Sequence, residues 1–170
     1  MDAGIINCAL YEDGSEYLGM ANITLPNTTN KKLTINGIGI AGDIEVPVPG
    51  HREAMTVSIA FTDAPESQYK LCEMRRHILD LREAHENYNA AAGGLGIKSH
   101  KRILEVIPTS QTGGTVAPAT AQGASGEYSL LSYKEYINGK LVRHIDPINF
   151  IDIDYSGKDN LAAVRSALGK

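Results

Sequence analysis

Five groups of residues have the types, and nearly the spacing, that known chemistry uses. Gly37, Gly39 and Gly42 spell a literal G-x-G-x-x-G, with Asp63 placed 21 residues later as a ribose ligand would be. Dinucleotide binding needs a helix N-terminus directly behind the third glycine, where free N–H groups and the helix dipole hold the pyrophosphate. Asp43-Ile44-Glu45-Val46-Pro47-Val48-Pro49 follows instead, and its two prolines preclude that helix. Gly93 to Ser99, GGLGIKS, approaches a phosphate loop, but Ile97 stands where glycine must precede the lysine. The histidines at 51, 77, 85, 100 and 144 show no i, i+4 pair and no Cys or carboxylate set at ligand spacing, so they read as surface residues. Ser125, in Gly123-Ala124-Ser125-Gly126, is one residue short of a nucleophile elbow and has no adjacent base. Asp152 and Asp154 share a strand face, where a solvated charged edge is the ordinary reading. No catalytic, cofactor-binding or metal-binding residue is assigned.

The elements around these groups are mostly strands. Met55, Val57, Ile59 and Phe61 alternate with Thr56, Ser58, Ala60 and Thr62, which predicts a strand over Ala54 to Thr62 with one face in a core. Ahead of it, residues 33–50 read as a long extended arm leaving a sheet. Its glycines and its Val-Pro-Val-Pro run exclude helix and inner strand. Leu33, Ile35, Ile38, Ile40, Ile44, Val46 and Val48 lie along it. An apolar arm of this length without regular structure seldom sits in water, so these seven are the candidate inter-subunit contacts.

Ile5 to Glu12 and Glu16 to Leu25 are predicted strands joined at Asp13-Gly14, with Tyr17, Gly19, Ala21, Ile23 and Leu25 on one face. Asp63-Ala64-Pro65-Glu66 is a helix entry. Propensity alone carries that helix to Ala92, while Ile78 to Ala84 equally suits a strand paired with Ser99 to Ile107. The adopted reading is a short helix, roughly Ser67 to Arg76, followed by that hairpin. Residues 108–126 are a low-complexity, nearly uncharged loop. Glu127 to Ile137 and Lys140 to Ile145 form a hairpin at Asn138-Gly139, and Ile148 to Tyr155 a further strand. A C-terminal helix over 159–168 carries Leu161, Val164 and Leu168 on one stripe. The expectation is a single domain over 1–170. It is mainly β (α+β), a β-sandwich or partial barrel of about seven strands with two short helices.

Composition narrows the function classes. The 170 residues include no Trp and two Phe, so large core formers are scarce. A net charge of −4 argues against tight nucleic-acid binding, which needs a basic footprint. Two cysteines, Cys8 and Cys72, make no ligand or disulfide pattern and suit a reducing compartment. With no signal segment and no apolar run of about 18 residues, the expected setting is the cytoplasm, without membrane binding.

In order and spacing, the pieces resemble the major tail tube protein family of contractile-tailed bacteriophages, which includes the tubes of R-type bacteriocins. The resemblance covers nearly the whole chain. It is most specific over Gly139 to Asn149, at the turn, strand and Asp-x-Ile-Asn step Asp146-Pro147-Ile148-Asn149, and over Gly157, Asp159, Leu161, Arg165 and Leu168-Gly169. Ile23-Thr24-Leu25-Pro26, the glycine-rich arm and Met55-Thr56-Val57 carry it in the N-terminal half. Asn89 to Ile97 and residues 108–126 depart from the family pattern.

The resemblance implies a structural, non-enzymatic, cofactor-free subunit. It implies hexameric rings whose inner sheets join into one β-barrel, with rings stacked as a conduit inside a sheath. Implied partners are other copies of the chain, the sheath, the tape-measure protein, baseplate or spike and terminator proteins, and DNA only in passing. Implied locations are the host bacterial cytoplasm during assembly and then the tail of a released virion or bacteriocin particle. The alternative is a small β-sandwich ligand-binding module, which would be a monomer with a cleft.

Overall fold

The computed structural model describes residues 2–19, 21–89 and 93–169. Eleven strands and two short helices are defined among them. They are β1 (Asp2–Glu12), β2 (Glu16–Tyr17), β3 (Ala21–Thr24), β4 (Asn30–Ile35), β5 (Ile44–Arg52), β6 (Thr56–Phe61), α1 (Glu66–Lys70), β7 (His77–Asn89), β8 (Gly94–Thr112), β9 (Ser125–Ile137), β10 (Lys140–Asp146), β11 (Ile151–Ile153) and α2 (Ala162–Ala167). The mainly β expectation holds, with more strands than the predicted seven because short pieces and the arm also pair.

The central sheet runs β11-β10-β9-β8-β7-β1-β2, all antiparallel. It forks at β9. The C-terminal half of β9 pairs with β10, and its N-terminal half pairs with β6, which carries β3 beyond it. The fork gives the core its second wall. Val57, Ile59 and Phe61 of β6 join Leu79 and Leu81 of β7, Leu104 and Val106 of β8, and Tyr128, Leu130 and Tyr133 of β9 in one buried cluster. Burial pushes the Tyr128 hydroxyl up to about 12.

Two hairpins match the sequence reading and extend past it. Asn138 (φ 49) and Gly139 (φ 80) supply the positive φ values of a tight turn between β9 and β10. The β7–β8 pair runs in continuous register from His77↔Val106 to Asn89↔Gly94. The Ala90–Ala92 part of its expected connection lies outside the described residues. β8 absorbs Pro108 at an irregularity between Pro108 and Ser110, where a missing N–H is tolerated.

Four boundaries differ from expectation, each for a tertiary reason. The run Glu16 to Leu25 breaks at Leu18-Gly19 (φ +95), so β2 pairs with β1 and β3 with β6. Leu18 turns inward at 1 % exposure and Tyr17 outward at 55 %, reversing the predicted face. α1 ends at Lys70, short of Arg76, because the chain turns to dock on Glu12. There His77 Nδ1 lies 2.6 Å from Glu12 Oε1, and Arg75 Nη2 donates to the same oxygen at 2.8 Å. The strand expected from Ile148 begins only at Ile151. Asp146 accepts from the Asn149 backbone N–H at 3.0 Å and from its Nδ2 at 2.7 Å, holding a turn that ends at Phe150 (φ 54). α2 starts at Ala162 and not at 159, since the Asp159 carboxylate accepts from the N–H groups of Asp152 and Leu161 in a bridge to β11. Of its predicted stripe only Leu161 is buried; Val164 and Leu168 are exposed.

The loop expected over 108–126 narrows to 113–124. Thr115 N–H donates to Gln122 O at 2.8 Å, and Gly123 N–H donates to Thr62 O at 3.2 Å, which ties the loop to β6.

Candidate assembly surfaces

The arm is a β-hairpin, which corrects the expectation of an extended segment without regular structure. β4 and β5 form a separate two-stranded sheet, registered Lys32↔Pro47, Leu33↔Val46, Thr34↔Glu45 and Ile35↔Ile44. The prolines fit because β5 pairs along one side only, as an edge strand. Alternation then sorts the side chains. Leu33, Ile35, Ile44 and Val46 share one face, with Val48 in line, while Lys32, Thr34 and Glu45 share the other. Lys32 Nζ donates to Glu45 Oε2 at 2.8 Å across the polar face.

The apolar face has little cover. Leu33 is 60 % exposed, Ile44 50 %, Ile35 41 % and Val46 40 %; Val48 is half-buried. Ile40 is exposed, and Ile38 stands fully out at the tip. Gly37, Gly39 and Gly42 sit in that tip, and Asp43 leads into β5, so no helix N-terminus follows them.

The root of the hairpin is fixed firmly to the body. Arg52 Nη2 donates to Asp152 Oδ1 at 2.8 Å, with the two side chains only 10 % and 13 % exposed. Asp152 is therefore an ion-pair partner and not part of a solvated edge. Asp154 turns onto Ser156, whose N–H it accepts at 2.9 Å. Glu53 N–H donates to Thr29 O at 2.9 Å and closes the base. At Gly50 (φ +70) an added Cβ would overlap Leu161, so the hairpin passes directly over the residue that opens α2.

A second surface is the open edge of β1. β2 covers β1 only at Tyr11 and Glu12, so Asp2 to Ala9 present an outer edge with no strand partner among the described residues. Two irregularities bend this edge, and Ile5 and Ile6 on it are 61 % and 57 % exposed.

The third is the face of the central sheet opposite the core. It forms an open groove of about 750 Å³, reached by Asn7, Ala9, Arg82, Ala84, Ser99, Lys101 and Tyr136. In the rows from Ile78 to Glu86 its charged positions are Asp80, Arg82 and Glu86 on β7, Lys101 and Glu105 on β8, and Lys134 on β9. The signs cancel. Arg82 Nη2 donates to Asp80 Oδ2 at 2.9 Å, Lys101 Nζ lies 3.2 Å from the same oxygen, and the Arg82 guanidinium covers the Tyr11 ring at 4.6 Å. The hydrogen bond that Arg82 donates to Asp80 holds the Arg82 pKa above its ordinary range. The groove is open and shallow, and apolar Ile97 and Ile103 line it beside the charged side chains of both signs.

The remaining sequence candidates stay apart. Asp63 accepts from Ala64 N–H at 2.9 Å, Ser125 opens β9, and Gly94 to Ser99 belong to β8. The histidines depart from the surface reading: His77 is fully buried and His85, His100 and His144 are half-buried, leaving His51 exposed. His85 and His100 meet Glu83, a grouping that a search for helical i, i+4 spacing misses. Glu83-x-His85 at i, i+2 on a strand was the available signal.

The family model for phage tail tube protein FII matches residues 2–169. The chain belongs to that family. It is a structural tube subunit of a phage tail, built to self-assemble into a tube. Among curated proteins none matches the chain. A similar solved structure is an extracellular contractile injection system, the PVC sheath-tube complex in its extended state. It is 13 % identical, with a TM-score of 0.48, and the match covers 82 % of this chain and 86 % of that one.

Proposed function

We propose that this tube subunit forms hexameric rings, and that the β4–β5 hairpin bridges each ring to the next with Leu33, Ile35, Ile38, Ile40, Ile44, Val46 and Val48 as its apolar contacts. The observation that carries the reading is the hairpin itself, amphipathic and anchored at its root with its apolar face in solvent. A two-stranded sheet is at best marginally stable alone, so this one needs a surface to lie on. Burying about 100 Å² of apolar surface contributes roughly 2.5 kcal/mol, so a few of these side chains suffice to hold a stack.

Within a ring, the β1 edge pairs with a strand of the adjacent copy and extends the central sheets into one barrel, which removes the edges. The charge-balanced face then lines the lumen, where the absence of a basic excess lets DNA or a tape-measure protein pass without being held. The outer surface meets a sheath, and the ends of the tube meet baseplate, spike and terminator proteins. Assembly takes place in the bacterial cytoplasm before the particle is released.

Negative-stain microscopy tests the stacking. The purified wild-type chain should give tubes or stacked rings. The triple variant Leu33→Asn, Ile44→Asn, Val46→Asn should give folded, soluble subunits or single rings and no tubes. Tubes of normal length from the variant would overturn the hairpin's role. A wild-type chain that stays a monomer at all concentrations would favour the ligand-binding module.

A further inference from the structure

On the core side of the long β7–β8 pair, past the end of the packed core, Glu83, His85 and His100 each offer one ligand atom, all within 4.8 Å of one another. The backbone brings them together. Glu83 and His85 share a face at i, i+2 on β7, and His100 is the register partner of Glu83 on β8. His85 Nε2 lies 2.8 Å from Glu83 Oε2, and the two imidazole rings stack at 4.1 Å with 27° between their planes. The Glu83 and His85 side chains are 5 % and 17 % exposed, so the group is sheltered yet open on one side.

From this arrangement we propose a binding site for a borderline transition-metal cation of the Zn²⁺ class, held by the Glu83 carboxylate and the His85 and His100 imidazoles. Two imidazoles and a carboxylate select such ions over Mg²⁺ or Ca²⁺, which prefer all-oxygen shells. A metal bound at about 2.0–2.2 Å from each ligand separates its ligands by roughly 3.4 Å. The present spread needs only side-chain adjustment to reach that. His85 presents Nε2 when its ring proton sits on Nδ1, so the ring stays neutral on binding.

The charges around the group are balanced. Arg102 pairs with Glu83 Oε1, but it is shared, since its Nη2 also lies 2.9 Å from Glu135 Oε1. Arg102 serves to orient the ligating carboxylate, and with Lys98, the register partner of His85, it balances Glu83 and Glu135. Three protein ligands leave a fourth position for water. The bound ion would clip β7 to β8 where the hairpin has left the core behind.

Zn²⁺ and Co²⁺ titrations of the full-length chain test this. The expected result is one Co²⁺ per subunit with visible bands of a four- or five-coordinate ion, and a melting temperature that rises with Zn²⁺. His85→Ala and His100→Ala should each weaken binding at least about tenfold, and His51→Ala should leave it unchanged. X-ray absorption on the wild-type zinc complex, which requires no variant, should show two imidazoles in the shell. The proposal fails if no metal binds at micromolar concentration. It fails equally if His51→Ala loses binding as the others do, or if the absorption spectrum shows only oxygen ligands.

Discussion

Val57, Ile59 and Phe61 on β6 and Leu33, Ile35 and Ile44 in the β4–β5 hairpin follow the same period of two. The first three are at most 2 % exposed and the second three between 41 % and 60 %. Alternation thus marks a strand with one apolar face and says nothing about what covers that face. In the body the cover is another strand of the same chain, supplied by the fork at β9. In the hairpin no comparable layer from the same chain exists among the described residues, and the family's tube architecture supplies the reason to expect one from a second copy.

The largest test of this difference is a pair of truncations. Leu104→Ala opens a cavity at a residue with no exposure and should cost the isolated subunit about 2–5 kcal/mol, seen as a lowered urea midpoint. Leu33→Ala, on the hairpin, should stay within about 0.5 kcal/mol in the same measurement. Similar losses for the two would mean that the hairpin packs on its own body in solution, and the comparison would break.

The joint between the two regions comes next. Arg52 and Asp152 link β5 to β11 across a pair with 10 % and 13 % side-chain exposure. Asp152→Asn leaves a mostly buried guanidinium without its counter-charge. The expected loss is about 2 kcal/mol, below the roughly 3–5 kcal/mol of a fully buried pair because some solvent reaches it. A lower melting temperature should come with faster proteolytic cutting between residues 36 and 43. A drop in melting temperature without faster cutting would show that the pair braces β11 and not the hairpin.

What the sequence made legible follows the same division. Local signals worked: Asp13-Gly14 and Asn138-Gly139 turn where expected, and Met55 to Phe61 alternates as read. The Pro-rich arm was rightly barred from helix and inner strand. It was wrongly denied regular structure, because proline rules out a doubly paired strand and leaves an edge strand free to form. Contacts between distant residues were invisible. Glu12 reaches His77 and ends α1 early, and Arg52 reaches Asp152, neither at a spacing that any local period displays. The candidate contacts along the arm were legible as apolar residues with nothing local to bury them. The Glu83–His85–His100 group escapes a test at i, i+4 spacing, although the strand pair read over Ile78 to Ala84 and Ser99 to Ile107 calls for a spacing of i, i+2 and for the register across the pair.

Titration separates the regions by a smaller margin. In the hairpin, Lys32 and Glu45 form a solvent-exposed pair, each shifted toward its charged form by their shared hydrogen bond. Such a pair adds little to stability and fades with salt. In the body, burial first, and then the positive charge of its register partner Lys134, lower the His144 pKa below its ordinary 6.5. A histidine depressed in the folded state resists protonation there while the unfolded chain accepts the proton freely. It therefore leaves stability untouched above pH 6.5, reduces it as the pH falls from 6.5 through the folded value, and adds no further loss below that. His144→Gln should flatten the fall in melting temperature between pH 7 and 5 relative to wild type. Raising the salt concentration should change this wild-type slope little, because burial is the larger cause and is not screened. Parallel curves for the two proteins would place the acid sensitivity of the body in other groups.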